Sequence, residues 1–242
     1  MTGTYRIGGR RIAIQSLFSR VHNYCQDYAC EGAADLTVSV TRADIDYERE
    51  RSAREDRAEG RVVREYPDAY LEELAVYRKI AEWMPGRDTF LFHGSAIAVD
   101  GVTDLFTAKS GTGKSTHARL WRELLGERAE MVNDDKPLIR VTETGEAVVY
   151  GTPWNGKHRL GSNISVPLKA ICVLERSAEN HIGKIDRAEA LPTLLQQAYR
   201  PADPAALAKT LALIDRMKVE YYRLGCNMEI GAAELAYNTM KG

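Results

Sequence analysis

The segment Leu105–Thr116, LFTAKSGTGKST, constrains the fold of this chain more than any other feature. It begins with an apolar run typical of a strand, continues through a glycine-containing loop (residues 108–113, the glycine loop), and opens the helical pattern STHARLW. It matches the pattern GxxxxGK[ST], except that Ala108 stands where the first glycine is expected. We therefore predict an α/β domain in which this loop joins a strand to a helix.

The residue types of the glycine loop indicate a phosphate-binding site. Gly111 and Gly113 allow a tight backbone whose N–H groups point inward, where the N-terminus of the helix adds positive potential. Lys114 would neutralise the β- and γ-phosphates, and Ser115 would place its hydroxyl on the Mg²⁺ that bridges them. ATP and Mg²⁺ are the predicted cofactors. The predicted nucleotide-binding residues are Ser110, Gly111, Thr112, Gly113, Lys114, Ser115 and Thr116.

Two adjacent acids follow the next apolar run, in MVNDDKP. Phosphoryl transfer needs a metal ligand and a group that orients or deprotonates the nucleophile. A turn at this strand end would bring both Asp134 and Asp135 to the phosphates, although the pair could also belong to an ordinary turn before Pro137. We predict that one carboxylate is the catalytic base and the other lies near the metal. Ser115 and Asp134 are the predicted metal ligands, and the sequence leaves the two carboxylate roles interchangeable.

A predicted hairpin fixes the expected position of a histidine. The Asp-Gly pair at residues 100–101 is typical of a two-residue turn, which makes Val99 face Val102. Continuing that register puts His93 opposite Ala108, at the mouth of the glycine loop. His93 is therefore a candidate for contact with the γ-phosphate or the acceptor, and a structural role is equally compatible with the sequence.

The loop TPWNGKHR, residues 152–159, groups Lys157, His158 and Arg159. A basic cluster on a shaped loop suits an anionic substrate or the phosphoryl group in transit. Lys157 is the predicted catalytic residue of this cluster, and a solvated basic turn is the equal alternative.

The first 88 residues differ in pattern from the rest and predict a separate module. Two short strands around a Gly-Gly pair and the alternating segment 35–40 indicate β-structure. The densely charged segment 44–65 is expected to be a solvated loop or hairpin edge, and segment 68–84 a helix. The predicted domains are a β-rich module plus helix at residues 1–88 and a P-loop core at residues 89–242, where a mixed sheet is flanked by helices.

These motifs, in this order, resemble the HPr kinase/phosphorylase and phosphoenolpyruvate carboxykinase superfamily. The resemblance is carried between Phe90 and Ile139 by HG at His93, the hairpin, SGTGKS at residues 110–115, and the acid pair. Further on, GTPWNGK, VPLKAICVLER and LLQQAYRP are similar to small bacterial HPr-kinase-related proteins. Some of these accompany peptide-modifying gene clusters and phosphorylate a serine on a precursor peptide. The glycine-rich HPr kinase signature after the acids is replaced by YGTPWNGKHRLG, so a true HPr kinase is not expected.

The resemblance implies a P-loop core of the HPr kinase/PEP carboxykinase type. It implies a kinase that transfers the γ-phosphoryl group of ATP to a hydroxyl of a small molecule or of a peptide serine. Lys114 would then contact the phosphates, Ser115 the magnesium, and one of the two aspartates would be the base. Two alternatives stay open. One is a nucleotide-binding sensor without transfer activity. The other is an NTPase that uses AICVLE, residues 170–175, as its acidic strand.

Charge and cysteine usage narrow the expected partners. A net charge of −1 gives no basic field for nucleic acid, and no apolar run approaches the roughly 18 residues of a membrane span. The cysteines match no zinc spacing and indicate reduced thiols in the cytoplasm, with a metal at the first two left open. We predict neither nucleic-acid nor membrane partners. A homo-oligomer, the acceptor, and GTP or pyrophosphate as donor stay open. The four cysteines are Cys25, Cys30, Cys172 and Cys226.

Overall fold

The computed structural model describes residues 1–156 and 158–241, and the chain divides into two compact units, Met1–Trp83 and Met84–Gly242. None of the helices in these residues combines the length and the apolarity needed to cross a membrane. The strands are β1 (Thr2–Ile7), β2 (Arg10–Gln15), β3 (Leu36–Ser39), β4 (Thr89–Leu91), β5 (Ser95–Val99), β6 (Val102–Thr107), β7 (Ala129–Asn133), β8 (Leu138–Val141), β9 (Ala147–Tyr150), β10 (Ser165–Arg176), β11 (His181–Ile185) and β12 (Glu220–Cys226). The α-helices are α1 (Arg20–Tyr24), α2 (Arg42–Ala58), α3 (Asp68–Trp83), α4 (Lys114–Leu125), α5 (Arg187–Gln197), α6 (Pro204–Arg216) and α7 (Ile230–Met240).

The first unit contains a three-stranded sheet in the order β1-β2-β3. β1 and β2 form an antiparallel hairpin across Gly8 and Gly9, whose φ angles of 58° and 74° favour glycine. β3 pairs with β2 in the parallel direction. The predicted hairpin, the third strand and helix α3 are confirmed.

The prediction that segment 44–65 is a loop or hairpin edge is wrong, because most of it forms helix α2. The helix begins with a capping box, in which the Asp44 carboxylate accepts from the Thr41 backbone N–H at 2.9 Å and the Thr41 hydroxyl accepts in return. Its buried side includes Glu48, which pairs with Arg78 of α3. Ion pairs replace much of the apolar stripe by which an amphipathic helix is usually recognised.

The second unit is built on a mixed sheet that contains nine strands within the described residues. Its main path runs β4-β8-β9-β10-β6-β5-β7, with β12 beside β10 and β11 beside β12. The long strand β10 joins the antiparallel and the parallel portions of the sheet, since it pairs antiparallel with β9 and parallel with both β6 and β12. The predicted mixed α/β class is confirmed.

Both faces of the sheet are buried at the central strand β6. Along β6, Leu105 belongs to one apolar cluster together with Leu194 of α5 and Ile214 of α6. The next residue, Phe106, belongs to a second cluster together with Trp121 of α4. Successive strand residues point to opposite faces, so α5 and α6 cover one face and α4 covers the other. This explains why the central strands are continuous apolar runs in the sequence.

The hairpin register that the sequence predicted is confirmed. Val99 pairs with Val102, and the pairing continues to Ser95 with Phe106. Both turn residues at positions 100–101 have positive φ, 51° and 86°, as the tight turn requires. β6 then leads directly into the glycine loop and α4, so the strand–loop–helix order is as predicted.

A buried histidine in α4 makes stability depend on pH. His117 is 2% exposed, its Nε2 accepts a hydrogen bond from Trp121 Nε1 at 3.0 Å, and burial lowers its pKa from 6.5 to about 4. The unfolded chain takes up this proton near pH 6.5, whereas the folded chain resists it down to about pH 4. The stabilising contribution of neutral His117 is therefore full above pH 6.5 and is lost as the pH falls towards 4.

The His117→Gln variant, whose amide oxygen can accept the same hydrogen bond, is expected to lose this dependence. Between pH 7 and pH 4 the free energy of unfolding of the wild type should fall by about 3 kcal/mol relative to the variant. Urea denaturation of both proteins across this range measures the difference. Parallel curves for the two proteins would contradict a buried neutral His117.

Candidate active site

The backbone conformation of the glycine loop requires glycine at both of its glycine positions but accepts the alanine at its start. Gly111 and Gly113 have φ angles of 78° and 126°, which side-chain-bearing residues rarely adopt. Ala108, at the position of the missing first glycine, is 2% exposed and its φ lies outside the left-handed region. Alanine therefore fits this position without backbone strain.

Lys114 is the first residue of α4 and folds back over the loop. Its ammonium group donates hydrogen bonds to the carbonyl oxygens of Ala108 at 2.9 Å and Lys109 at 3.5 Å. Burial lowers the pKa of the ammonium, and the negative charge of Asp135 opposes that shift. The group is thus a desolvated cation, which an entering phosphate would stabilise.

The acid pair is shaped by Asn133, the fully buried last residue of β7. Its side-chain oxygen accepts from the backbone N–H groups of Asp135 at 2.9 Å and Lys136 at 2.6 Å. Its amide donates to the carbonyl and the hydroxyl of Thr152, each at 3.1 Å. Sequence reasoning missed this residue, although an asparagine that begins a turn is a recognisable signal. The turn brings both carboxylates to one cleft instead of to opposite faces of a strand.

The two carboxylates have opposite pKa shifts. Burial raises the pKa of Asp134; a hydrogen bond from the Gly156 N–H at 2.6 Å opposes this, and the charge of Asp135 adds to it. Burial alone would also raise the pKa of Asp135, but His93 at 3.1 Å and Lys136 at 2.7 Å lower it to about 2. Asp135 is therefore ionised at neutral pH, and Asp134 is the carboxylate more ready to accept a proton.

His93 is held at the end of the hairpin by contacts from both sides. Its carbonyl accepts from the Thr107 hydroxyl at 2.9 Å, and its Nδ1 lies 2.9 Å from Oε1 of Gln197. Its Nε2 faces Asp135. Gln197 stands at the end of α5, 104 positions away in the chain, so no sequence pattern could have linked it to His93.

The predicted residues meet in one cleft of about 520 Å³. Thr112 belongs to the glycine loop but does not line the cleft among the described residues, and Lys157 lies outside the described residues. His158 lines an adjoining cavity. The residues that line the cleft are His93, Ser110, Gly111, Gly113, Lys114, Ser115, Thr116, Asp134, Asp135 and Gly156.

A comparison with models of known protein families identifies the family of the chain. The family model described as "SynChlorMet cassette protein ScmC" matches residues 71–228, well over half of the sequence. The chain belongs to the ScmC family. It is also similar to the solved structure of the Hpr(Ser) kinase/phosphatase from Coxiella burnetii, with 12% identity and a TM-score of 0.37. That similarity covers 63% of this chain and 99% of the other. No curated protein matches the sequence.

The cleft of this ScmC family member offers ligands that fit a nucleotide-bound Mg²⁺. Ser115 and Asp134 line the same space. Mg²⁺ is usually held by one or two carboxylates together with substrate phosphates, not by a cage of protein ligands. Among the described residues no three His, Cys, Asp or Glu side chains are grouped to hold a metal, so the alternative of a metal at Cys25 and Cys30 finds no further ligand there. All four cysteines are free thiols.

The acid proposed for the NTPase alternative lies elsewhere. Glu175 stands near the end of β10, its side chain is 55% exposed, and it pairs with Arg223 at 3.3 Å. It is not among the described residues that line the cleft. Residues 170–175 therefore serve as a core strand between β6 and β12.

Proposed function

We propose that this ScmC family member is an ATP-dependent phosphotransferase that moves the γ-phosphoryl group to a hydroxyl of a small molecule or of a peptide serine. One observation carries the proposal. A desolvated lysine and two carboxylates of opposite pKa shift line a single cleft beside the glycine loop. A cytoplasmic location, where ATP is abundant and thiols stay reduced, belongs to the proposal.

The donor side of the cleft would be formed by the glycine loop and the start of α4. Backbone N–H groups of residues 110–114 would surround the phosphates, and Lys114 would exchange its loop carbonyl partners for phosphate oxygens. Ser115 and one carboxylate would hold Mg²⁺. We assign this role to Asp135, whose pKa is lowered to about 2, in place of Asp134, which the sequence indicated as the metal ligand. The metal, when bound, offsets charge on the phosphoryl oxygens.

On the acceptor side, Asp134 is proposed as the base. The acceptor oxygen would form a bond to the γ-phosphorus as the bond to the β-phosphate oxygen breaks. The hydroxyl proton would pass to the Asp134 carboxylate, and ADP would leave. A buried carboxylate with a raised pKa suits this role, because general bases work best when their pKa approaches the ambient pH. Asp135, paired with His93 and Lys136, would keep the imidazole ring turned into the cleft.

Acceptor-dependent turnover tests the proposal. The wild-type protein is incubated with Mg·ATP and a panel of hydroxyl compounds that includes free L-serine, glycerol and short serine peptides. ADP release and phosphorylated product are measured for each mixture, with GTP and pyrophosphate tested as donors in parallel. We expect ADP formation that requires an acceptor and matches product one to one. ATP binding without product in any mixture would support the sensor instead. Acceptor-independent hydrolysis lost in Glu175→Gln would support the NTPase.

A further inference from the structure

A second cavity of about 350 Å³, the side cavity, opens beside the cleft. Ser115, Thr116 and Asp134 line both spaces, so the two meet at the proposed base. The remaining lining residues of the side cavity are Ala118, Arg119, Arg122, His158 and Leu160.

The wall of the side cavity is one face of α4. Ser115, Ala118, Arg119 and Arg122 recur at the three- and four-residue spacing that places side chains on the same side of a helix. Ala118 is buried and gives this wall an apolar base, whereas both arginines are exposed. Along the helix axis Arg119 lies about 6 Å and Arg122 about 10 Å from Ser115, at a rise of about 1.5 Å per residue.

Both guanidinium groups are available to a ligand. Arg119 pairs with Glu123 at 3.0 Å, but each side chain is 59% exposed, and an exposed pair of this kind is weak. Arg122 has no ion-pair partner within the described part of the chain. Arginine recognises planar anions such as carboxylates through two parallel hydrogen bonds.

We propose that the side cavity binds the acceptor, and that the acceptor carries a carboxylate which Arg119 or Arg122 can reach while the reacting hydroxyl lies at Asp134. The inference rests on the proposed function, because it places the hydroxyl at Asp134. The carboxylate would then lie against Arg119 or Arg122. The substrate class is a hydroxy acid, either a small molecule or a serine in a peptide with a nearby carboxylate.

The position of Asp134 favours the acceptor over the nucleoside as occupant. The phosphates of the donor would be bound in the cleft by the glycine loop and Lys114, whereas the acceptor hydroxyl has to reach Asp134. The side cavity is lined by Asp134 but not by Lys114, and its two arginines would attract an anionic acceptor.

Charge reversal tests the inference. The Arg119→Glu/Arg122→Glu double variant is compared with wild type and with Lys209→Glu, which reverses an exposed charge on α6. The probes are serine peptides flanked by Asp, Asn or Lys, together with L-serine, D-glycerate, serinamide and glycerol. We expect wild type and Lys209→Glu to favour the carboxylate-bearing probes by about tenfold or more in kcat/KM. The double variant should lose or invert this preference, with KM for ATP within about threefold of wild type.

The outcomes are distinguishable. Equal use of neutral and anionic probes by wild type, or a preference that survives the double charge reversal, overturns the inference and leaves the phosphotransferase intact. A KM for ATP raised more than about tenfold with an unchanged acceptor preference would assign the side cavity to the nucleoside. ATP binding by wild type without product on any probe overturns the proposed function, and the inference with it. ATP binding by the double variant shows that it folds. The probes that wild type uses with the higher kcat/KM show whether the acceptor is a peptide or a small hydroxy acid.

Discussion

The Asp134→Asn variant is expected to bind Mg·ATP like the wild type but to transfer the phosphoryl group about 10²- to 10⁴-fold more slowly. Asparagine keeps a side-chain oxygen that can accept the Gly156 N–H, so the loop that contacts the acid pair should remain in place. It cannot accept the hydroxyl proton. The loss should therefore fall on kcat, because binding of the donor depends on the glycine loop and Lys114.

The pH profile gives a second, independent reading of the same variant. Only the ionised carboxylate can act as base, so the wild-type rate should rise with pH through the pKa of Asp134. Burial raises that pKa above the ordinary value of 3.8. The variant should lack this rising limb of the pH–rate profile.

Two further variants complete the Asp134 experiment. Asp135, with a pKa of about 2, is ionised throughout, so Asp135→Asn should change Mg²⁺ dependence without removing the limb. Asp215→Asn, which removes a carboxylate that is 78% exposed, is the matched surface control. Wild-type turnover in Asp134→Asn would exclude Asp134 as the base.

The Lys114→Met variant is expected to lower the affinity for Mg·ATP by about 30-fold to several thousand-fold, the range for removing one partner of a buried charge pair. Methionine has a similar length but no charge, so the phosphates lose their buried cation. Isothermal titration with Mg·ATP measures the loss. Lys109→Met is the matched control, because Lys109 belongs to the same loop but is exposed.

Stability separates a binding role of Lys114 from a structural one. Burial lowers the pKa of Lys114, which means that the folded protein holds this charge at a cost in free energy. Removing the charge relieves this cost but also removes the donor to the buried Ala108 carbonyl, so the free energy of unfolding should change by no more than about 1–3 kcal/mol. Equal loss of ATP affinity in the Lys109 and Lys114 variants, or a marked drop in stability of Lys114→Met, would contradict the assignment.

Segments whose geometry is set by neighbouring residues were predictable from the sequence. The Asp-Gly turn at 100–101 adopts the two positive φ angles that fix the hairpin register as far as Ser95 and Phe106. His93, two residues before Ser95, lines the same cleft as the glycine loop. The glycines at 111 and 113 likewise adopt the conformations that their residue type permits. These features depend on contacts within a few tens of residues.

Helix α2 was mispredicted because its buried side is partly ionic. The Glu48–Arg78 pair joins α2 to α3, and that pairing exists only once the two helices are packed together. A sequence pattern that weighs apolar spacing cannot detect a helix whose inward side chains are neutralised by a partner thirty positions away.

The sequence by itself determined which groups are present: the glycine loop, Lys114, the acid pair and the histidine at the end of the hairpin. Tertiary structure alone decided what those groups can do. Asn133 turns both carboxylates into one cleft, Gln197 holds His93, and Gly156 approaches Asp134 from a separate loop. Chemically identical side chains at adjacent positions thereby acquire opposite pKa shifts. The reason is that a pKa depends on burial and on the charges that remote segments bring within a few ångströms.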